Sequence, residues 1–178
     1  MIEPGGQQNW YMLTVVGQDR PGIVAALTQA LYEGGCHLGE ASMMRLGENF
    51  TVMMMVTGAT ENTLKELTAP VAERMQLRIH IDPIRARLHH HREPDVQINV
   101  YGADRTGIVA EVTGALAEAG MNIVDLNSDV AGTEEKPVYI MLIDGYASQG
   151  IAALERALAS LKDKGVDVRL TPVETLVG

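Results

Sequence analysis

The chain has 178 residues, 46% hydrophobic and 21% charged, the balance of an ordinary folded protein. With 23 acidic residues against 14 basic ones the formal charge is -9, which disfavours a surface built to neutralise many phosphates. The single cysteine, Cys36, excludes an internal disulfide and a cysteine-based zinc site. The longest aliphatic run, Val52 to Val56, is far too short to span a bilayer, and the polar start from Met1 to Trp10 has no apolar signal core. No membrane association, no direct nucleic-acid binding and a cytoplasmic location are therefore the expectations.

In chain order, the first β-branched and aromatic run is Tyr11 to Val16. It leads into Gly17-Gln-Asp-Arg-Pro-Gly-Ile-Val-Ala25, after which Ile23, Leu27, Ala30 and Leu31 follow helical spacing. Pro21 suits the first helical turn and Gly34-Gly35 the stop. Strands are expected around Cys36 to Leu46 and Phe50 to Val56. A second helix carries Leu64, Leu67, Val71 and Met75 on one stripe, with a kink or break expected at Pro70. Leu77 to Ile84 closes the unit as a last strand.

The pattern then repeats. Gly102-Ala-Asp-Arg-Thr-Gly-Ile-Val-Ala110 returns 85 positions later, and residues 17–38 share 12 of 22 identities with their counterparts. A gain of two residues near Thr133 to Lys136 brings the second halves into phase at an offset of 87, pairing Gly58 with Gly145, Leu64 with Ile151 and Ile79 with Val166. Val96 to Val100, Met121 to Val130, Val138 to Ile143 and Val166 to Val173 are the expected strands of this copy. Its helices carry Ile108, Val112 and Leu116, then Ile151, Leu154, Leu158 and Leu161. The chain reads as a tandem duplication: a first domain over 1–84, a linker over 85–93 and a second domain over 94–178.

Each copy has the order βαββαβ, the ferredoxin-like α+β arrangement with two helices on one face of a four-stranded antiparallel sheet. The run Val52-Met-Met-Met-Val56 is apolar on both faces, so either the sister repeat or another subunit is expected to cover the second face. The nearby methionines serve either as core filling or as an adaptable partner surface.

The Gly-x-Asp-Arg-x-Gly-Ile-Val loop, present twice, resembles the signature of the ACT domain, a small regulatory amino-acid-binding module. Gly120-Met-Asn122-Ile123 is similar to that family's entry into its second strand. Two such modules with little else resemble the layout of the glycine cleavage system transcriptional repressor family. The resemblance implies a non-catalytic regulator sensing a small amino acid, glycine first, and acting on transcription through a protein partner such as a LysR-type factor. It also implies a homo-oligomer, commonly a dimer, with no cofactor. Control of an amino-acid metabolic enzyme as its allosteric subunit is the alternative.

Family sites use the strand 1–helix 1 loop of one module and the opening of strand 2 from a neighbour. By position this selects Asp19, Arg20, Gly22, Ile23, Val24 and His37, together with Asp104, Arg105, Gly107, Ile108, Val109 and Asn122. The chemistry suits an amino acid. Unpaired N–H groups at a helix start favour a carboxylate, and glycine lets a ligand approach the backbone. Asp19 and Asp104 either accept from the ammonium or cap the helix; Arg20 and Arg105 either clamp the carboxylate or lie solvated. The second copy carries Asn122 where the first carries His37, so one site, using Asn122, is expected to dominate.

No enzyme motif is present: there is no phosphate loop, no His-Glu-x-x-His helix and no nucleophile elbow. Cys36 reads as a small buried hydrophobe. His89, His90 and His91 are adjacent in an extended stretch and point in alternating directions, which disfavours a metal site.

Overall fold

The computed structural model describes residues 9–85, 93–103, 105–162 and 164–173. The chain divides into two compact units, residues 1–89 and 90–178. In the first, β1 (Trp10–Gln18) is followed by α1 (Ile23–Glu33), β2 (His37–Leu46), β3 (Asn49–Thr57), α2 (Glu61–Met75) and β4 (Arg78–Ile84). In the second, β5 (Val96–Ala103) is followed by α3 (Ile108–Glu118), β6 (Met121–Thr133), β7 (Lys136–Ala147), α4 (Ile151–Lys162) and β8 (Val166–Pro172). The sheet orders are β2-β3-β1-β4 and β6-β7-β5-β8, all neighbours antiparallel. Both units are ferredoxin-like βαββαβ modules, as their alternating patterns require.

The strand period places the core. Tyr11, Leu13 and Val15 of β1 point to the helices and meet Leu27, Leu31 and Leu64. Val96, Ile98 and Val100 of β5 do the same against Val112, Leu116 and Leu154. Burying each such side chain contributes about 1.5–3 kcal/mol.

Two expectations are corrected. The helix α2 runs through Pro70 without the break that is one of the two outcomes expected there. Pro70 is exposed, and so is Glu66, the residue whose carbonyl loses its helical donor. The second correction concerns the offset between the repeats. Gly17 pairs with Phe50, and Gly102 pairs with Tyr139, so Phe50 corresponds to Tyr139, 89 positions on. Val15 pairs with Ile79 and Val100 with Val168, again 89 apart. The offset of 87 is therefore wrong by two residues. The β6–β7 hairpin is longer by two rungs, Gly132 to Pro137 and Thr133 to Lys136, which adds four residues rather than two. A slip of two preserves the in-and-out alternation of a strand, so side-chain pattern alone cannot detect it.

The methionine-rich β3 is partly covered from within its own module. Met54 and Met55 are buried. The Trp10 ring and Met55 crowd together over Gly39, where an added Cβ would lie 2.9 Å from Trp10 Cζ3 and 3.3 Å from Met55 Cβ. Met43, Met44 and Met53 remain exposed.

Candidate functional site

Each loop ahead of the first helix of a module turns on a glycine with positive φ, 88° at Gly22 and 91° at Gly107. Only glycine adopts this conformation without strain. A Cβ at either position would meet nothing within 4 Å, so the space above the turn is open. Glycine is thus dictated by the backbone.

The turn sets the helix start against the end of the leading strand. The first helical bonds run from Ala26 N–H to Gly22 O and from Glu111 N–H to Gly107 O, both 2.9 Å. The N–H groups of Gly22, Ile23 and Val24 precede that rung, as do those of Gly107, Ile108 and Val109, and they form the positive end of each helix. In the second loop Ile108 N–H makes only a long 3.4 Å bond to Arg105 O. The side chains of Ile23 and Ile108 are buried and pin the turns, leaving Val24 and Val109 at the surface.

Asp19 is not a helix cap. Its Oδ2 lies 2.7 Å from Arg45 Nε, and its N–H bonds to Glu48 O at 2.9 Å. Arg20 donates from Nη2 to Gln76 Oε1 at 2.9 Å and to Gln18 Oε1 at 3.3 Å, both neutral acceptors. Among the described residues Arg20 therefore has no carboxylate partner.

The second loop is wired differently. Arg105 grips Glu111 with both terminal nitrogens, Nη2 to Oε2 at 2.7 Å and Nη1 to Oε1 at 3.3 Å. The hydrogen bond from Arg105 holds the Glu111 carboxyl below the usual carboxylate range, and the same bond raises Arg105. The first copy has Ala26 where Glu111 stands. Asp104 lies outside the described residues, as do His89, His90 and His91.

His37 and Asn122 sit at the far end of their sheets. His37 shares a rung with Thr57 and Trp10, whereas the Asp19 loop follows the rung of Gln18 and Asn49. Eight residues of strand separate these rungs, about 27 Å at the usual rise. Asn122 pairs with Tyr146, at the corresponding end of the second sheet. One module by itself brings neither side chain to its own loop, so each serves a loop ligand only where another module supplies it.

Sequence reasoning missed Arg45, Glu111 and Gln76. Arg45 lies two residues before Gly47, and its reach to Asp19 becomes visible only once the hairpin register aligns it with Gly17 through Phe50. Cys36 is buried just ahead of β2 and desolvation raises its thiol pKa, which suits packing rather than nucleophilic chemistry. A groove of about 370 Å³ lies elsewhere, between α4 and β8, lined by Leu158, Lys162 and Arg169 among others. It touches neither loop. No helix among the described residues is long and apolar enough to cross a membrane.

The ACT domain model matches residues 11–82 and again residues 95–171. The glycine cleavage system transcriptional repressors of Escherichia coli (strain K12) and Shigella flexneri are each 29% identical over 160 residues, covering 86% of this chain and 84% of theirs. Among solved structures, an unknown protein from Galdieria sulphuraria superposes with a TM-score of 0.76 at 22% identity, over 94% of this chain and 100% of that one. A candidate glycine cleavage system transcriptional repressor does so at 0.67 and 18%, with the same coverage. At such identities these two structures speak for the fold. The duplicated loop, the duplicated sheet order and the two matched segments lead to one assignment: the chain belongs to the ACT domain family, as a tandem ACT-domain regulatory protein similar to the glycine cleavage system transcriptional repressors.

Proposed function

We propose that the chain is a non-catalytic sensor of a small amino acid, glycine first, that controls transcription of glycine cleavage genes through a protein partner. The observation that carries this reading is the similarity to the named repressors along both modules, over 86% of this chain. The charge of -9 supports a protein intermediary, because direct DNA binding leans on phosphate neutralisation.

In this reading the loop N–H groups at Gly22, Ile23 and Val24 receive the ligand carboxylate with Arg20, and the free lone pairs of Asp19 receive the ammonium. Gly107, Ile108, Val109, Arg105 and Asp104 are the positional counterparts in the second module, where Arg105 is paired with Glu111. His37 and Asn122 contribute from other modules. Binding that favours one conformation over another changes affinity for the partner by the same coupling free energy. A LysR-type transcription factor is the proposed partner, and the working form is a homo-oligomer.

Two measurements test the proposal. A thermal-shift screen of the standard amino acids should raise the melting temperature with glycine or a close relative. Affinity capture from cells, with and without that amino acid, should recover a transcription factor in a ligand-dependent manner. Recovery of an amino-acid biosynthetic enzyme in its place would overturn the transcriptional part, and no thermal response to any amino acid would overturn the sensing part.

A further inference from the structure

We infer that Arg45 is the carboxylate-recognising residue of the first loop, which makes the first module the one that holds a free α-amino acid. This inference rests on the amino-acid reading above and adds to it a residue and a choice of module.

An α-amino acid carries its ammonium and carboxylate on adjacent atoms, so a receptor must present an anionic acceptor and a cationic donor side by side. Asp19 and Arg45 do this: Oδ2 and Nε are 2.7 Å apart. The contact uses Nε alone, which leaves Asp19 Oδ1 and both terminal nitrogens of Arg45 for a ligand. The Arg45 side chain is 64% exposed, so a small solute reaches it without any rearrangement of the core. A guanidinium with two parallel N–H groups matches a carboxylate bidentately. Arg20, bonded only to the neutral Gln18 and Gln76, adds a second cation to the same loop.

The second module lacks this arrangement, and the strand register shows why. Arg45 lies on the rung of Phe50 and Gly17, and the corresponding rung of Tyr139 and Gly102 carries Val130. Valine offers no charge there. Arg105, the one loop guanidinium of that module, is already held by both oxygens of Glu111. The longer hairpin also puts Glu134 and Glu135 at its tip, on the same end of the sheet as the second loop. The tip of the first hairpin also carries an acid, Glu48, whose carbonyl accepts from the Asp19 N–H, so the differences that separate the modules are the missing cation at Val130 and the Glu111 clamp on Arg105.

Isothermal titration of the full chain with glycine, or with whichever amino acid the screen selects, tests the assignment. One equivalent per chain should bind, while methylamine and acetate, each carrying one of the two charges, should not. Arg45→Met should weaken binding roughly 10–100-fold, the weight of a charge-assisted hydrogen bond, and Arg45→Lys should recover part of it. Arg169→Met, at an exposed arginine of the second module outside its loop, should leave affinity unchanged. Wild-type affinity in Arg45→Met, alongside a loss in Asp19→Ala, would overturn the role of Arg45 while leaving amino-acid sensing intact. Binding of two equivalents of equal affinity would overturn the choice of module. Failure of the wild-type chain to bind any amino acid would remove both readings together.

Discussion

Arg45 Nε stands 2.7 Å from Asp19 Oδ2, an ion pair between the edge strand β2 and the loop that precedes α1. It ties the tip of the β2–β3 hairpin to the start of the helix. The two residues are 26 positions apart in sequence, and the second module has no such tie at Val130.

Removing the acid should separate binding from folding. Asp19→Ala is expected to weaken amino-acid binding by roughly 1.5–3 kcal/mol, the range for a hydrogen bond to a charged group. Stability should fall by about 1 kcal/mol or less, because the pair is solvent-screened with Arg45 64% exposed. Titration calorimetry and urea unfolding on the same variant check both figures.

Gly22→Ala tests the turn. The left-handed backbone at φ 88° should make this substitution destabilising by about 1 kcal/mol or more, although the added methyl meets no neighbour. A bulky residue at Gly22 would mix that strain with steric exclusion of the ligand, so alanine is the cleaner probe. An unchanged urea midpoint would show that the turn relaxes at no cost.

Acid should act on the second loop through Glu111. The Arg105 hydrogen bond lowers its folded-state pKa, so its contribution is present above the unfolded value of about 4.3 and is lost as the pH falls through the lower folded value. Glu111→Gln should therefore lose stability relative to the parent at neutral pH, and the gap should narrow as the pH falls below the unfolded value. Melting curves between pH 3 and pH 7 would read the convergence, and parallel curves would argue against the ion pair.

Pro70→Ala should stabilise the first module. A proline in a helix interior costs about 3 kcal/mol relative to alanine, and here α2 absorbs it at an exposed position. The gain is expected at roughly 1–3 kcal/mol in urea unfolding. A loss would mean that Pro70 serves a contact the helix needs.

For the transcriptional reading, gel shifts with promoter DNA at physiological salt should show no band with this chain alone. A specific, saturable complex in the absence of a partner would overturn partner-mediated control.

The duplication, the module order and the core faces were legible because period-2 and period-3.6 patterns report burial directly. Ile23, Leu27 and Leu31, or Ile108, Val112 and Leu116, could be placed from spacing alone. Register was not legible at that level. Sliding β7 by two residues leaves every side chain on its own face, so Gly145 passed as the partner of Gly58 although it occupies the rung of Val96. The loops were recognisable from Asp-Arg-x-Gly, but their wiring was not. Arg45 and Glu111 lie outside the repeated motif, and a partner that differs between copies leaves no trace in a self-comparison. Pro70 misled for a different reason: its exposed setting, invisible in the local string, lets the helix continue.

The two extra rungs of the β6–β7 hairpin extend about 7 Å past the last pairing of β5, at Ala103 and Val138. Lengthening at a free tip leaves every lower rung in place, since no strand below it changes partner. The turn at Glu134 and Glu135 is accordingly where the molecule accommodates foreign sequence. A short peptide tag or a fluorophore attachment site inserted there would add chain beyond the core of its module.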